Sequence, residues 1–240
     1  MTEQAFVDGS FTAPRERRDR LTAALLEHVP RDSRLRLLDL GCGNGMQLLD
    51  LAAALPHADL SGIDTSKVNI EAARRRVAAS AHAQRIQLQD GDYLAADTDS
   101  YDVILADSVL QNISAPDAQL YGKLASDIRD RGLLIASIPY GCFYNRFLWF
   151  ARRVLRVFRG PFAQRIALGM AERLHPEWDR ALLEERLPYL YMLPERIDDV
   201  RLVGSLKGLG LERIAVEDLP HASVAQPKHR LSVFRKAGAS

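Results

Sequence analysis

The chain has 240 residues, 32 Lys and Arg against 31 Asp and Glu, and a formal net charge of +1. That length suits one α/β domain burying roughly 70 % of its unfolded surface, leaves no room for a second independent domain, and the charge balance argues against a basic protein that coats nucleic acid. Cys42 and Cys142 are too few for a disulfide framework or a Cys-rich metal site, no run of 18 apolar residues occurs, and Glu3 and Asp8 stand where a signal peptide would be basic, so a reducing cytoplasmic setting is expected.

Residues 1–14 contain Gly9 and Pro14 and read as a loosely held arm. Arg15 to Val29 is helical in pattern: Leu21, Ala24, Leu25 and Val29 make an apolar stripe, and Arg15, Arg17, Arg18 and Arg20 beside Glu16 and Asp19 read as a solvated face. Next comes a short apolar β-run, Leu35 to Leu40, which stops at the alternating glycines Gly41, Gly43 and Gly45 before the helical run Met46 to Leu55. Alternating glycines remove the Cβ atoms that would hold a ligand off the backbone, and the helix N-terminus offers N–H groups, so a polar or anionic ligand is expected there. The dinucleotide fingerprint G-x-G-x-x-G/A requires a small residue where Met46 stands, and fails.

Ala58 to Asp64 reads as a second strand ending in a carboxylate, followed by a helix from about Ser66 to Ala79. Asp64 lies 21 residues beyond Gly43, near the spacing at which an acid meets a ribose. Arg85 to Gln89 alternates as a third strand and leads into Asp90-Gly91-Asp92-Tyr93; Tyr101 to Asp107 is a fourth, running on into Ser108 to Ile113. A helix over Pro116 to Ile128, an apolar fifth strand over Gly132 to Pro139, a helix over Ile197 to Leu206 and strands over Leu211 to Glu217 and His229 to Lys236 complete the chain. Strand and helix alternating at this rhythm give a parallel sheet covered on both faces.

Asp39-Leu40-Gly41-Cys42-Gly43-Asn44-Gly45 reads D-x-G-x-G-x-G and resembles the first motif of the class I S-adenosylmethionine (SAM)-dependent methyltransferases. The resemblance implies a Rossmann-like α/β fold with a mostly parallel seven-stranded sheet, order 3-2-1-4-5-7-6, and an antiparallel last strand; the long segment after strand 5 reads as an inserted helical cap. It implies SAM as cofactor, S-adenosylhomocysteine as product and no metal. It places Asp39, Gly41, Gly43 and Gly45 at the cofactor, Asp64 on the ribose, Asp92 with Tyr93 at the adenine, and Asp107 toward the methionine end. The corresponding division of the chain is 1–34 as arm and helix, 35–140 and 194–240 as SAM-binding domain, and 141–193 as substrate cap.

Tyr140 to Leu193 is far longer than an ordinary connection. On a helical wheel Phe143, Phe147, Phe150, Val154, Leu155, Val157 and Phe158 fall on one side, and Arg146, Arg152, Arg153, Arg156 and Arg159 on the other, with no Asp or Glu from Arg131 to Ala171. Two readings stand: the underside of a substrate lid, and a peripheral membrane contact through residues 143–159. His175 and Tyr140, with Tyr144 beside them, are the candidates for handling the acceptor's proton. No Asn/Asp-Pro-Pro-Tyr/Phe run follows strand 4, which disfavours a nucleic-acid acceptor, and Gln111 beside Asn112 departs from the Arg-Asn-Val run of quinone C-methyltransferases. A small apolar or lipid-like O, N or C acceptor is expected, with a non-methylating cyclisation or decarboxylation as the alternative. G-x-S-x-G, Walker and H-E-x-x-H signatures are absent.

Overall fold

The computed structural model describes residues 13–157, 160–174, 180, 183–184, 187, 191–220 and 226–238. In chain order the elements are α1 (Arg15–Leu26), β1 (Arg36–Leu40), α2 (Met46–Ala54), β2 (Asp59–Asp64), α3 (Lys67–Ala78), β3 (Ile86–Asp90), β4 (Tyr101–Asp107), α4 (Asp117–Asp127), β5 (Ile128–Pro139), α5 (Phe143–Val157), α6 (Pro161–Leu174), α7 (Val200–Gly208), β6 (Leu211–Asp218) and β7 (His229–Lys236). The sheet order is β3-β2-β1-β4-β5-β7-β6. β1 through β5 pair in parallel, while β7 runs antiparallel to both β5 and β6. The expected sheet is present, strand for strand.

Side-chain alternation along the central strands builds two cores. Leu37 and Leu105 turn to one face, where they meet Leu21 and Leu25 of α1, Leu48 and Leu51 of α2 and Ile70 of α3. Leu38 and Ile104 turn to the other and meet Leu120 and Leu124 of α4 and Leu202 and Leu206 of α7. Strands with apolar residues on both faces are the mark of a sheet buried between helix layers. The order reverses between β1 and β4, so the loops leaving those two strands flank the switch point at which open α/β sheets hold ligands.

Element ends differ modestly from the sequence reading. β5 begins at Ile128, earlier than Gly132, because Ile128 already pairs with Tyr101. α7 begins at Val200, where the Asp199 carboxylate accepts from the N–H groups of Arg201 and Leu202, so the cap rather than the apolar period sets its start.

Candidate active site

The loop leaving β1 is held in an unusual backbone shape. Gly41, Gly43 and Gly45 have φ of 73°, 54° and 80°, the left-handed region that other residues enter with strain. A Cβ on Gly41 would sit 2.8 Å from Val109 Cγ2, and one on Gly45 would sit 3.0 Å from Ala73 Cβ. At these two positions neighbouring protein and backbone shape already demand glycine. The N–H groups of Gly41 and Cys42 donate to the Ile63 carbonyl at 2.8 and 3.1 Å, and that of Gly45 to the Cys42 carbonyl at 3.0 Å. Gly43 N–H donates to Asp64 Oδ2 at 2.8 Å. The N–H groups of these four residues are therefore engaged inside the protein and are not open to an anion.

Carboxylates surround the loop instead. Asp39, 2 % exposed at the end of β1, has an Oδ2 with no hydrogen-bond partner. Burial, and then the charges of Asp107 and Asp64, push its carboxyl well above the usual range. Burial also raises Asp64, opposed by the N–H groups it accepts from Ser66, at 2.8 Å, and Gly43. Each Asp64 oxygen accepts one such bond, and the Asn69 side chain donates to the same carboxylate. Asp107, at the end of β4, accepts from Arg17 Nε at 2.8 and 3.1 Å and from Ser137 Oγ at 2.5 Å. Arg17 Nη2 also donates to Ser108 Oγ at 2.5 Å and to Ser137 Oγ at 2.6 Å. Ser108 itself has φ of 57°, fixed by its N–H donating to Ser137 O at 3.1 Å.

An unpartnered carboxylate oxygen flanked by two more acids suits a cation that brings hydrogen-bond donors. SAM carries a sulfonium, an ammonium and two ribose hydroxyls, so the site fits it; a diphosphate would meet the Asp39 and Asp64 carboxyls and the engaged N–H groups of Gly41, Cys42, Gly43 and Gly45. Asp39, Asp64 and the glycine loop would hold SAM here, and SAM supplies an activated methyl.

The other expected residues separate. Asp92 is exposed beyond β3, with Oδ1 accepting from Leu94 N–H at 2.9 Å; Asp90 pairs with Arg74 at 3.4 Å. Tyr93 is buried in the second core and donates its hydroxyl to Asp127 at 2.9 Å, because the side chain after outward-facing Asp92 turns inward. Tyr140 is also occupied, donating to Asp218 at 3.0 Å under the Arg230 guanidinium, and burial with that acid raises its pKa, opposite to what a proton acceptor needs. Burial raises Tyr144. His175 lies outside the described residues. Gln111 and Asn112 both donate to the Ser108 carbonyl, at 2.8 and 2.9 Å, and so shape the loop after β4.

Arg17 and Arg18, read as solvated, turn inward; Arg18 pairs with Asp50 at 2.7 Å. The signal was present: Arg17 precedes Leu21 and Leu25 at steps of four, which extends the buried stripe by one turn. His229 was missed. Its buried Nδ1 lies 2.8 Å from the Pro227 carbonyl and so carries the proton, while Nε2 is buried without a partner. Burial and the nearby Arg17 pull it down to about 3, so it is neutral. Nothing local in the sequence marks it, because β7 reaches this end of the sheet only through its pairing with β5.

α5 is turned with its polar side in. Asn145 Nδ2 donates to the carbonyls of Tyr140 and Lys228 at 2.7 and 2.8 Å, Arg152 Nη1 to Met192 O at 2.7 Å, and Arg156 Nε to Tyr191 O at 2.5 Å. Phe147, Phe150 and Val154 are exposed, so as placed they do not form the underside of a lid. A separate groove lined by His28, Asp102, Arg131 and Gly238 opens at the opposite end of β4 and β5, away from this chemistry.

Residues 31–146 match a family profile described as "Methyltransferase domain". Trans-aconitate 2-methyltransferase of Methylobacterium nodulans is 32 % identical over 161 residues, 66 % of this chain and 58 % of that protein. Ribosomal RNA large subunit methyltransferase G of Pseudomonas putida is 30 % identical over 151 residues, 61 % of this chain and 39 % of that one. The chain thus matches less than two thirds of the length of either relative. Magnesium protoporphyrin IX methyltransferase (ChlM) of Synechocystis PCC 6803, solved with bound S-adenosylhomocysteine, superposes with a TM-score of 0.64 at 15 % identity, over 98 % of this chain and 93 % of that one. With the D-x-G-x-G-x-G loop, the sheet order and the matched profile agreeing, residues 31–146 carry a methyltransferase domain on the class I SAM-dependent fold.

Proposed function

We propose that the protein transfers the methyl of SAM to an oxygen, nitrogen or carbon of a small, apolar or lipid-like acceptor in the cytoplasm, leaving S-adenosylhomocysteine. The observation that carries this reading is the buried, unpartnered Asp39 oxygen between Asp64 and Asp107, beside a loop whose N–H groups are engaged. In this reading the Asp64 carboxylate accepts from the ribose hydroxyls and Asp92 accepts from the adenine amino group. Asp107, held by Arg17, faces the methionine end. Methyl transfer needs acceptor and methyl held in line, and an O–H or N–H acceptor must then lose a proton, which we assign to His175. Residues 1–34 form an arm and helix, 35–140 with 194–240 the cofactor domain, and 141–193 the substrate element, in peripheral contact with a membrane through 143–159.

An RNA acceptor is the second reading, favoured by the ribosomal RNA relative. Purified protein incubated with methyl-labelled SAM and an extract of its own cell separates the two. Label in the lipid-soluble or small-molecule fraction supports the proposal, and label in RNA supports the second reading. Bound SAM with new product but no label transferred would mean a non-methylating reaction.

A further inference from the structure

α5 is built inside out. Its inward face carries Asn145, fully buried and bonded to three backbone groups, and Arg152, buried on the Met192 carbonyl. Its outward face carries Phe143, Phe147, Phe150, Val154 and Val157, which are 87, 63, 62, 39 and 80 % exposed. Phe143, Phe147 and Phe150 thus stand exposed together on one helix. An apolar stripe normally points at the core, so one anchored outward by buried polar groups requires an external partner.

Charge identifies that partner. Arg146 and Arg153 are exposed one turn along from Phe143 and Phe150, and line one edge of the stripe. Arg165 and half-exposed Ile166 of α6 continue the same composition. No acid occurs between Arg131 and Ala171. A second copy of the chain would bring its own arginines against these with no acid on the helix to answer them, and the stripe spans about two heptads, short of the three or four a coiled coil needs. RNA would meet the arginines but not Val154, Val157 and Ile166. A bilayer with anionic headgroups answers both chemistries: acyl chains for the stripe and phosphate for the arginines.

We propose that the outward face of α5, the Phe143-Phe147-Phe150-Val154-Val157 stripe with Arg146 and Arg153 on its edge, seats the protein on an anionic lipid surface, the helix lying in the plane of the interface. The stripe is about 21 Å long, at 1.5 Å per residue. α5 starts just past the end of β5 at Pro139, on the carboxyl edge of the sheet that carries Asp39 and Asp107. Seating α5 therefore brings the cofactor edge to the membrane, and, resting on the proposed methyl transfer, makes the acceptor an amphiphile taken from the bilayer. Arg152 and Arg156 hold backbone carbonyls and take no part in the docking.

The test is co-sedimentation of the full chain with phosphatidylglycerol/phosphatidylcholine vesicles and with phosphatidylcholine alone, at low and high salt. The protein is expected to pellet with the anionic vesicles and to be released by salt. Arg146→Gln with Arg153→Gln should weaken anionic-vesicle binding about 25-fold, roughly fivefold per arginine. Phe147→Ser with Phe150→Ser should lose it altogether, with circular dichroism and SAM affinity unchanged because both side chains are exposed. Wild-type protein left in the supernatant overturns the proposal, as does unaltered binding by the Phe variant. So does a dimer in ultracentrifugation that the Phe variant dissolves while vesicles go unbound, or arginine-dependent binding to RNA in place of vesicles. Failure of SAM binding would sink the proposed function and leave the vesicle result standing.

Discussion

Replacing Asp39 with Asn should weaken cofactor binding and strengthen the fold at once. Asp39 is 2 % exposed, its Oδ2 has no partner, and Asp107 and Asp64 oppose its charge. A cationic ligand loses one hydrogen bond to a charged group, about 1.5–3 kcal/mol, so the Kd for SAM should rise roughly 10- to 150-fold. Stability moves the other way. A carboxyl whose pKa is raised by folding is favoured in the native state when protonated and disfavoured when ionised, so above the ordinary carboxyl range the ligand-free fold bears a cost at Asp39. Asn removes that cost, and each kcal/mol recovered raises Tm by about 2–4 °C in a chain of this size. The gap in Tm between variant and wild type should be widest at alkaline pH, begin to shrink below the raised pKa of Asp39 and close only as pH falls to the ordinary carboxyl range. Isothermal titration with SAM and scanning calorimetry at about pH 8 and about pH 5 read both effects. An Asn variant that binds SAM as wild type does, or that melts lower at both pH values, would refute the reasoning.

Gly41→Ala should destabilise the fold by about 1–3 kcal/mol through its left-handed φ and its clash with Val109; adding Val109→Ala should recover only the part of the clash due to Cγ2, since the Cβ at 3.0 Å remains, as denaturant melts would record. Asp64→Ala should lose about 1.5–3 kcal/mol of SAM affinity, while Asp92→Ala should cost more affinity than Asp90→Ala in the same titrations. The reverse order would put the adenine contact two residues earlier. His229, pulled down from 6.5 to about 3, stays neutral in the fold while the unfolded chain takes up a proton below about pH 6.5. Its contribution is complete above that pH and shrinks by up to about 1.4 kcal/mol per pH unit as pH falls toward 3. A His229→Gln variant should lack that slope in melts across the window.

The sheet was readable because each strand ends at a marker: the glycines after β1, Asp64 after β2, Asp107 after β4. The loop's location was readable too, but not its bonding. Only the fold shows the Ile63 carbonyl taking two of its N–H groups and Asp64 a third, which is the ground for proposing a cationic rather than an anionic ligand there. Arg17 and His229 escaped for a related reason, since their partners lie on strands far away in sequence: Asp107 and Ser137 for the first, and the paired end of β5 for the second. The wheel of α5 gathered the apolar stripe onto one side but set Arg146 and Arg153 opposite it, where the fold has them exposed along its edge, and the sequence could not say which side met the protein, because Asn145 and Arg152 find their partners at Lys228 and Met192.

The most direct measurement is a paired calorimetric titration of the purified chain with SAM and with NAD. The expected result is a SAM Kd in the micromolar range, about −8 kcal/mol, weakened by Asp39→Asn, with no measurable heat from NAD. Equal affinity for the two, or NAD alone binding, would contradict a cation site at the glycine loop.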